Sequence, residues 1–337
     1  KNRVICKLYH ILSRTWIYRH FIQKRSKRNR ESGKSYMEKI IVEGGKRLEG
    51  EVTVSGAKNA VLPLMAACII AEGKNTITNV PDLADVRTMI ELLKILGAEV
   101  EFENGVLVID STNMDTWEAP YDLVKTMRAS VLVLGPLTAR FGRSRVSLPG
   151  GCAIGERPID QHLKGLSILG AKIEIEEGYV DTIAPKLRGG VIPFDVSTVT
   201  GTENLILSSV LAEGETVILN AACEPEVTDL AKFLLEAGAD ISGVGTDIIT
   251  INGVNKLNPI KEYAVMPDRI EAGTFLIASV LTKCDLFVKN CRFENMGALI
   301  GKLIEAGAEI TRESDGIRIK GNGDIKSVDF TTLPYPG

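Results

Sequence analysis

"VRTMIELLKILGAEVEFENGVLVID", residues 86–110, switches its hydrophobic period partway along, and that switch decides the fold. Val86, Met89, Ile90, Leu93 and Leu96 recur every three or four residues, the spacing of an amphipathic helix. Gly97 follows, a residue suited to the left-handed conformation that ends helices. "EVEFE" and "VLVID" then flank Asn104-Gly105, a dipeptide of tight hairpins. The order is helix, glycine, strand, turn, strand.

The same order returns along the chain. "LGAKIEI" places Gly170, "AGADISG" Gly238 and "AGAEITR" Gly307, at successive spacings of 73, 68 and 69 residues. A second series keeps this period: "GKNTITN" at Gly73, "GRSRVSL" at Gly142, "GETVILN" at Gly214 and "KCDLFVKN" around Cys284. Before the second series lies another apolar run, such as "VKTMRASVLVLGPLTAR" at 124–140, whose spacing predicts a further helix. Repeated units that cover strands with helices imply an α/β protein built by duplication, in modules of roughly 70 residues. One module cannot bury its apolar face alone, so neighbours must close around it.

At 337 residues the chain has room for two domains, each with a full core. Its apolar fraction of 45% and charged fraction of 25% are those of an ordinary globular protein. Charge is uneven: residues 1–36 hold 11 Lys and Arg against Glu31 alone, and the remainder is net acidic. An acidic body argues against nucleic acid as a partner, which needs a broad basic footprint. No run of about 18 apolar residues is present, so the sequence predicts no membrane span.

Cys6, Cys68, Cys152, Cys223, Cys284 and Cys291 are widely spaced with no CxxC pair, and His162 is the one histidine after Met37. That pattern argues against a zinc site and against a disulfide framework, and it fits a reducing compartment. The segment 1–36 is a basic extension set apart from the fold. Ile5, Leu8, Leu12, Trp16 and Ile17 suit one face of a surface or targeting helix, but Met37 resembles a natural start and makes upstream sequence the better reading. "SGKS" at 32–35 is not a phosphate loop, because Arg28 stands where the first glycine belongs.

One cysteine has an unusual setting. In "SLPGGCAIGERPIDQH", residues 147–162, Cys152 follows Pro149, Gly150 and Gly151 and precedes Arg157. Cys68, in "PLMAACIIAE", has the apolar context of a structural thiol; Cys152 has a loop with hinge freedom and nearby charge. Lys58 and Asn59 stand just before another apolar helix, where amide groups favour anions. Arg128 stands inside an otherwise apolar helical run, where a buried cation needs a partner.

Taken in order, "GAKNA" (56–60), "MRAS" (127–130), "LPGGCAIGERPIDQH" (148–162) and "MPDRIEAGTF" (266–275) resemble the UDP-N-acetylglucosamine 1-carboxyvinyltransferase family of enolpyruvyl transferases. The resemblance runs from Met37 to Gly337, and the cysteine loop is its most specific element. It implies an α/β (α+β) enolpyruvyl transferase fold of two domains, each an inside-out barrel of three repeated units, with the second incomplete here. Residues 58–266 would form the first domain, and residues 37–57 with 267–337 part of the second. "GAKNA" and "MPDRIEAG" would be the crossovers.

The resemblance also implies the chemistry. The enolpyruvyl group of phosphoenolpyruvate moves to the 3'-hydroxyl of UDP-N-acetylglucosamine with loss of phosphate, the first committed step of peptidoglycan synthesis, in the cytoplasm and without a cofactor. Cys152 would supply the proton to C3 and also form a covalent adduct with phosphoenolpyruvate. Lys58, Asn59, Arg128 and Arg157 would grip the anionic ligand. Arg157, Pro158, Ile159, Asp160 and Gln161 would hold the uridine nucleotide, Asp160 either through the uracil or by capping the following helix. "FDVSTVTGTEN", 194–204, occupies the place of another nucleotide loop. The aspartate base of the family would lie beyond Gly337, so the chain as written is expected to be inactive. Two other readings remain open. One is a shikimate-pathway transferase, against which Asn59 after Lys58 and the cysteine loop both speak. The other is a non-catalytic binding module built from repeats.

Overall fold

A computed structural model describes residues 49–121, 127–148, 159–321, 323 and 325–337. The basic extension therefore lies outside the described residues, as do residues 37–48. In chain order, β1 is Gly50–Thr53, α1 Lys58–Ala67, β2 Lys74–Thr78, α2 Ala84–Ile95, β3 Glu99–Glu103 and β4 Val106–Asp110. The second round has β5 Glu118–Ala119, a 3-10 helix Arg128–Val133, α3 Leu134–Phe141, β6 Arg143–Ser147, α4 Asp160–Ile168, β7 Lys172–Glu176 and β8 Tyr179–Ile183. The third has β9 Val191–Pro193, α5 Val199–Ser209, β10 Glu215–Leu219, α6 Pro225–Glu236, β11 Asp240–Ser242 and β12 Ile248–Asn252. β13 is Tyr263–Ala264. The fourth round has α7 Arg269–Leu281, β14 Asp285–Lys289, a 3-10 turn Phe293–Met296, α8 Gly297–Glu305, β15 Ala308–Glu313 and β16 Gly316–Gly321.

The four rounds build four sheets of one topology: β13-β2-β4-β3, β5-β6-β8-β7, β9-β10-β12-β11 and β1-β14-β16-β15. In each, the first strand is parallel to the second, and the other pairings are antiparallel. β5 and β9 each come from the end of the preceding repeat. β13 arrives after the third repeat and pairs with β2 of the first, Tyr263 opposite Ile77. The three repeats thus close on themselves.

Two compact units result. One is Ser55–Asp268 with Thr331–Gly337, and the other runs through Val54 and resumes over Arg269–Phe330. Each has its own apolar core. In the larger unit α1 is buried from Ala60 to Ala67 and α5 from Gly201 to Ser209, while α2 and α6 keep an exposed side. The sheets alternate buried and exposed positions along their strands, as in β2 and β10. Buried helices pack together and the sheets face water on one side, the inside-out arrangement that the resemblance implies. The glycine that closes each repeated helix has a left-handed backbone, with φ of 95° at Gly97 and 91° at Gly170.

One helix departs from expectation. Residues 128–141 do not form a single α-helix, because the Asn204 side chain enters the backbone ladder. Its Oδ1 accepts the Gly135 N–H and its Nδ2 donates to the Val131 carbonyl, both at 2.8 Å. Those are the two groups that an α-helix would join to each other. A 3-10 segment therefore precedes α3, with the Ser130 N–H and hydroxyl both on the Met127 carbonyl. Among the described residues no helix is long and apolar enough to cross a membrane.

Candidate functional site

Lys58 is the first residue of α1, and Ala57 before it gives no side-chain cap. The Lys58 and Asn59 amides precede the first helical hydrogen bonds, which favours an anion there, while the Ala60 N–H already donates to the Ala57 carbonyl at 3.1 Å. The approach to α1 is fixed by backbone. Ala57 N–H donates to the Met266 carbonyl at 2.8 Å, Asp268 N–H to the Ser55 carbonyl at 2.9 Å, and Gly56 bridges to Pro267. A Cβ on Gly56 would stand 1.8 Å from the Asn79 carbonyl oxygen, so only glycine fits in "GAKNA". The two sequence motifs "GAKNA" and "MPDRIEAG" thus meet at their backbones. Lys58 Nζ lies 2.8 Å from Asp85 Oδ2, both side chains partly exposed, and Asn59 faces solvent.

Arg128 starts the 3-10 helix immediately after the buried Met127, rather than standing within an α-helix. Its side chain lies outside the described residues, as do Cys152, Arg157 and Pro158. From there the chain is described again. Ile159 is buried and precedes α4 without capping it, and Asp160 is the first helical residue and exposed. Gln161 is buried and binds in two directions. Its Nε2 donates to Asp160 Oδ2 at 3.0 Å and Asp195 Oδ2 at 3.2 Å, while its Oε1 accepts the Asp195 N–H at 3.1 Å. Lys164 Nζ adds a 2.8 Å contact to Asp195. Hydrogen bonds from Lys164 first and Gln161 second hold the Asp195 carboxyl below the usual range.

The segments 157–161 and 194–204, singled out separately in the sequence, are therefore joined at Gln161 and Asp195. Helix α5, which ends the second segment, packs on α1, α3, α4 and the 3-10 helix that starts at Arg128. Asp195, His162 and Asn204 were not among the expected contacts. Asp195 and Asn204 lie in the segment 194–204 that the sequence marked without naming individual contacts, and His162 is the single histidine after Met37. A shallow recess of about 540 Å³ lies elsewhere, lined by Glu49, Gly50, Glu51, Asp285, Phe287 and Arg318. Arg318 is already engaged by Asp285 and Glu313, and among the described residues no expected site residue lines the recess.

Alongside cations and amides suited to an anion, the larger unit therefore presents carboxylates and amides suited to a polar heterocycle or sugar. The profile of the EPSP synthase (3-phosphoshikimate 1-carboxyvinyltransferase) family matches residues 42–337. The UDP-N-acetylglucosamine 1-carboxyvinyltransferase of Trichlorobacter lovleyi is 56% identical over 302 residues, covering 89% of this chain and 72% of that protein. The protein of the same name from Desulfatibacillum aliphaticivorans is 55% identical over 301 residues, with the same coverage. Among solved structures, the enolpyruvyl transferase NikO from Streptomyces tendae matches with a TM-score of 0.77 at 24% identity, covering 86% of this chain and 70% of that one. The EPSP synthase of Acinetobacter baumannii matches at 0.66 and 21% identity, covering 86% and 68%. These two structural likenesses bear on the fold.

Proposed function

This chain belongs to the UDP-N-acetylglucosamine 1-carboxyvinyltransferase family, and from that premise we propose that it transfers the enolpyruvyl group of phosphoenolpyruvate to UDP-N-acetylglucosamine, releasing phosphate, in peptidoglycan synthesis. The observation that carries this is the 55–56% identity to transferases of that name over 72% of their length. The family profile bears the name of the shikimate-pathway enzyme, but the likeness to a solved structure of that enzyme is only 21%.

Addition and then elimination suffice for the reaction. C3 of phosphoenolpyruvate gains a proton from the acid and C2 takes the sugar oxygen as the hydroxyl proton passes to a base. The C2–O bond to phosphate then breaks, releasing phosphate, as C3 returns a proton to the group that supplied it. No net oxidation occurs, so the step calls for no redox cofactor. Cys152 is the proposed acid at C3: free thiols have a pKa of about 8.5, which nearby cations lower, so a thiol can hold a proton near neutrality and release it in the transition state. A positioned acid of this kind contributes a factor of about 10² to 10⁴. Lys58, Arg128 and Arg157 are proposed to grip the carboxylate and phosphate, arginine by its fork and lysine as a point charge. Asn59 adds an amide beside Lys58. Pro158, Ile159, Asp160 and Gln161 are proposed to hold the nucleotide, with Asp195 fixing Gln161 from below. With a nucleotide sugar and phosphoenolpyruvate as substrates, the proposed setting is the cytoplasm.

Calorimetric titration of the chain with UDP-N-acetylglucosamine and with shikimate 3-phosphate tests the reading. Saturable binding of the nucleotide sugar alone is expected. Binding of shikimate 3-phosphate in its place overturns the assignment.

A further inference from the structure

Asn204 is fully buried on α5, and its one amide ties three elements together. Oδ1 accepts from Gly135 N–H at 2.8 Å, while Nδ2 lies 2.8 Å from the Val131 carbonyl and 3.0 Å from His162 Nδ1. These partners fix which way round the amide sits. Reversed, its oxygen would face the Val131 carbonyl and its nitrogen the Gly135 N–H. Both amide hydrogens are then used, so His162 Nδ1 is an acceptor and the neutral ring carries its hydrogen on Nε2. That nitrogen points to Thr200 Oγ1 at 3.5 Å, also on α5.

The surroundings leave this side chain little freedom. A Cβ on Gly135 would stand 2.2 Å from Asn204 Oδ1, and one on Gly165 would stand 2.2 Å from Leu205 Cδ1. Two glycines thus let α5 sit hard against α3 on one side and α4 on the other. Without the Asn204 amide, the Val131 carbonyl and the Gly135 N–H would stand unpaired at the present spacing or would have to close on each other, redrawing the junction.

What the bridge joins is specific. Val131 and Gly135 straddle the junction between the 3-10 helix that starts at Arg128 and α3. His162 lies in the first turn of α4, which starts at Asp160. We propose that Asn204 is a positioning residue, setting the spacing between the backbone segment that begins at Arg128 and the helix start that carries Asp160 and Gln161. The inference rests on the ligand-binding roles given to those residues above. It touches neither ligand itself and acts through the register of two helix starts.

Ser208 supplies a matched control. It is fully buried one turn further along α5, donates to the Asn204 carbonyl at 2.7 Å, and meets the same face of Gly135. Asn204→Ala and Ser208→Ala are compared by urea unfolding and by calorimetric titration with UDP-N-acetylglucosamine. Both are expected to lose stability, but only Asn204→Ala is expected to weaken binding, by roughly ten-fold. Asn204→Ser, which puts one hydroxyl in place of the amide, is expected to recover part of that loss, and it replaces the alanine variant if the latter does not fold. Independently of any variant, the nitrogen shifts of His162 are expected to report an unprotonated Nδ1 in the neutral ring. Equal weakening in both alanine variants, unchanged affinity in Asn204→Ala, or a hydrogen on Nδ1 overturns the proposal. A wild-type chain that binds no UDP-N-acetylglucosamine overturns the functional reading first, and is seen before any variant is made.

Discussion

Lys58 Nζ and Asp85 Oδ2 are 2.8 Å apart, so the cation proposed to grip phosphoenolpyruvate is already held by a carboxylate from the start of α2. An anionic ligand must share Lys58 with Asp85 or displace it. Exposed ion pairs are worth at most about 1 kcal/mol, so the pair adds little to folding. Asp85→Asn is therefore expected to leave the urea midpoint nearly unchanged while tightening phosphoenolpyruvate by roughly three- to ten-fold. Weaker binding in that variant would mean that Asp85 aims Lys58 instead of competing for it.

Two glycines in helices should respond oppositely to a methyl group. Gly135→Ala puts its Cβ 2.2 Å from Asn204 Oδ1 and 2.6 Å from the Asn204 carbonyl oxygen, and backbone cannot step aside. A loss of about 1–3 kcal/mol or more is expected from such overpacking. Gly301 lies within α8, where an added Cβ would meet nothing within 4 Å. Gly301→Ala is expected to gain about 0.5–1 kcal/mol by restricting the unfolded chain. Paired urea titrations check both signs; a stabilised Gly135→Ala would mean that α3 and α5 are not in close contact.

The repeated helix–strand–helix–hairpin order was legible because it depends on local signals. The apolar spacing before Gly97 and the Asn104-Gly105 turn each specify their own few residues, and the structure follows them, with Asn104 and Gly105 both at positive φ. Failures of the reading come from contacts distant in sequence. Nothing within "MRASVLVLGPL" announces that Asn204 will take the Val131 carbonyl and the Gly135 N–H and so divide one helix into two. The Gln161–Asp195 pairing is of the same kind, joining residues 34 apart. In the site itself, Lys58 and Asp160 were marked by their place at helix starts. Asn204 looked like one more polar residue in a run.

Thiol chemistry should separate Cys152 from the cysteines of the body. Burial pushes the Cys68 thiol far up, and burial also raises Cys291, to about 11. Cys223 is raised as well, by burial first and then by the charges of Asp247 and Glu224. Cys284 is buried, with its sulfur against the Thr282 hydroxyl. The three raised thiols hold their protons more firmly than a free cysteine, and burial shields the Cys284 sulfur from reagents. Alkylation followed by peptide mapping is expected to mark the 147–162 peptide well ahead of those holding Cys68, Cys223, Cys284 and Cys291, and to slow there when UDP-N-acetylglucosamine and phosphoenolpyruvate are added. Uniform labelling that ignores the ligands would remove Cys152 from its proposed role.

Glu203, beside Asn204 on α5, gives the pH dependence its sign. The side chain is buried, its Oε1 has no hydrogen-bond partner among the described residues, and desolvation, with the charges of Glu226 and Glu224 behind it, raises its pKa well above the ordinary value. The folded chain therefore keeps this proton after the unfolded chain, whose glutamates titrate near about 4.3, has released its own. More protons are bound by the folded state, so stability falls as pH rises above that point, by up to about 1.4 kcal/mol per pH unit, until the folded carboxyl itself ionises. Glu203→Gln is uncharged at every pH and close in shape. It is expected to remove this decline and to be more stable than wild type at pH 8, with the gap narrowing toward pH 4. Unfolding free energies measured across that range decide it: curves that run parallel for the two proteins would mean that Glu203 is ionised and satisfied in the folded state.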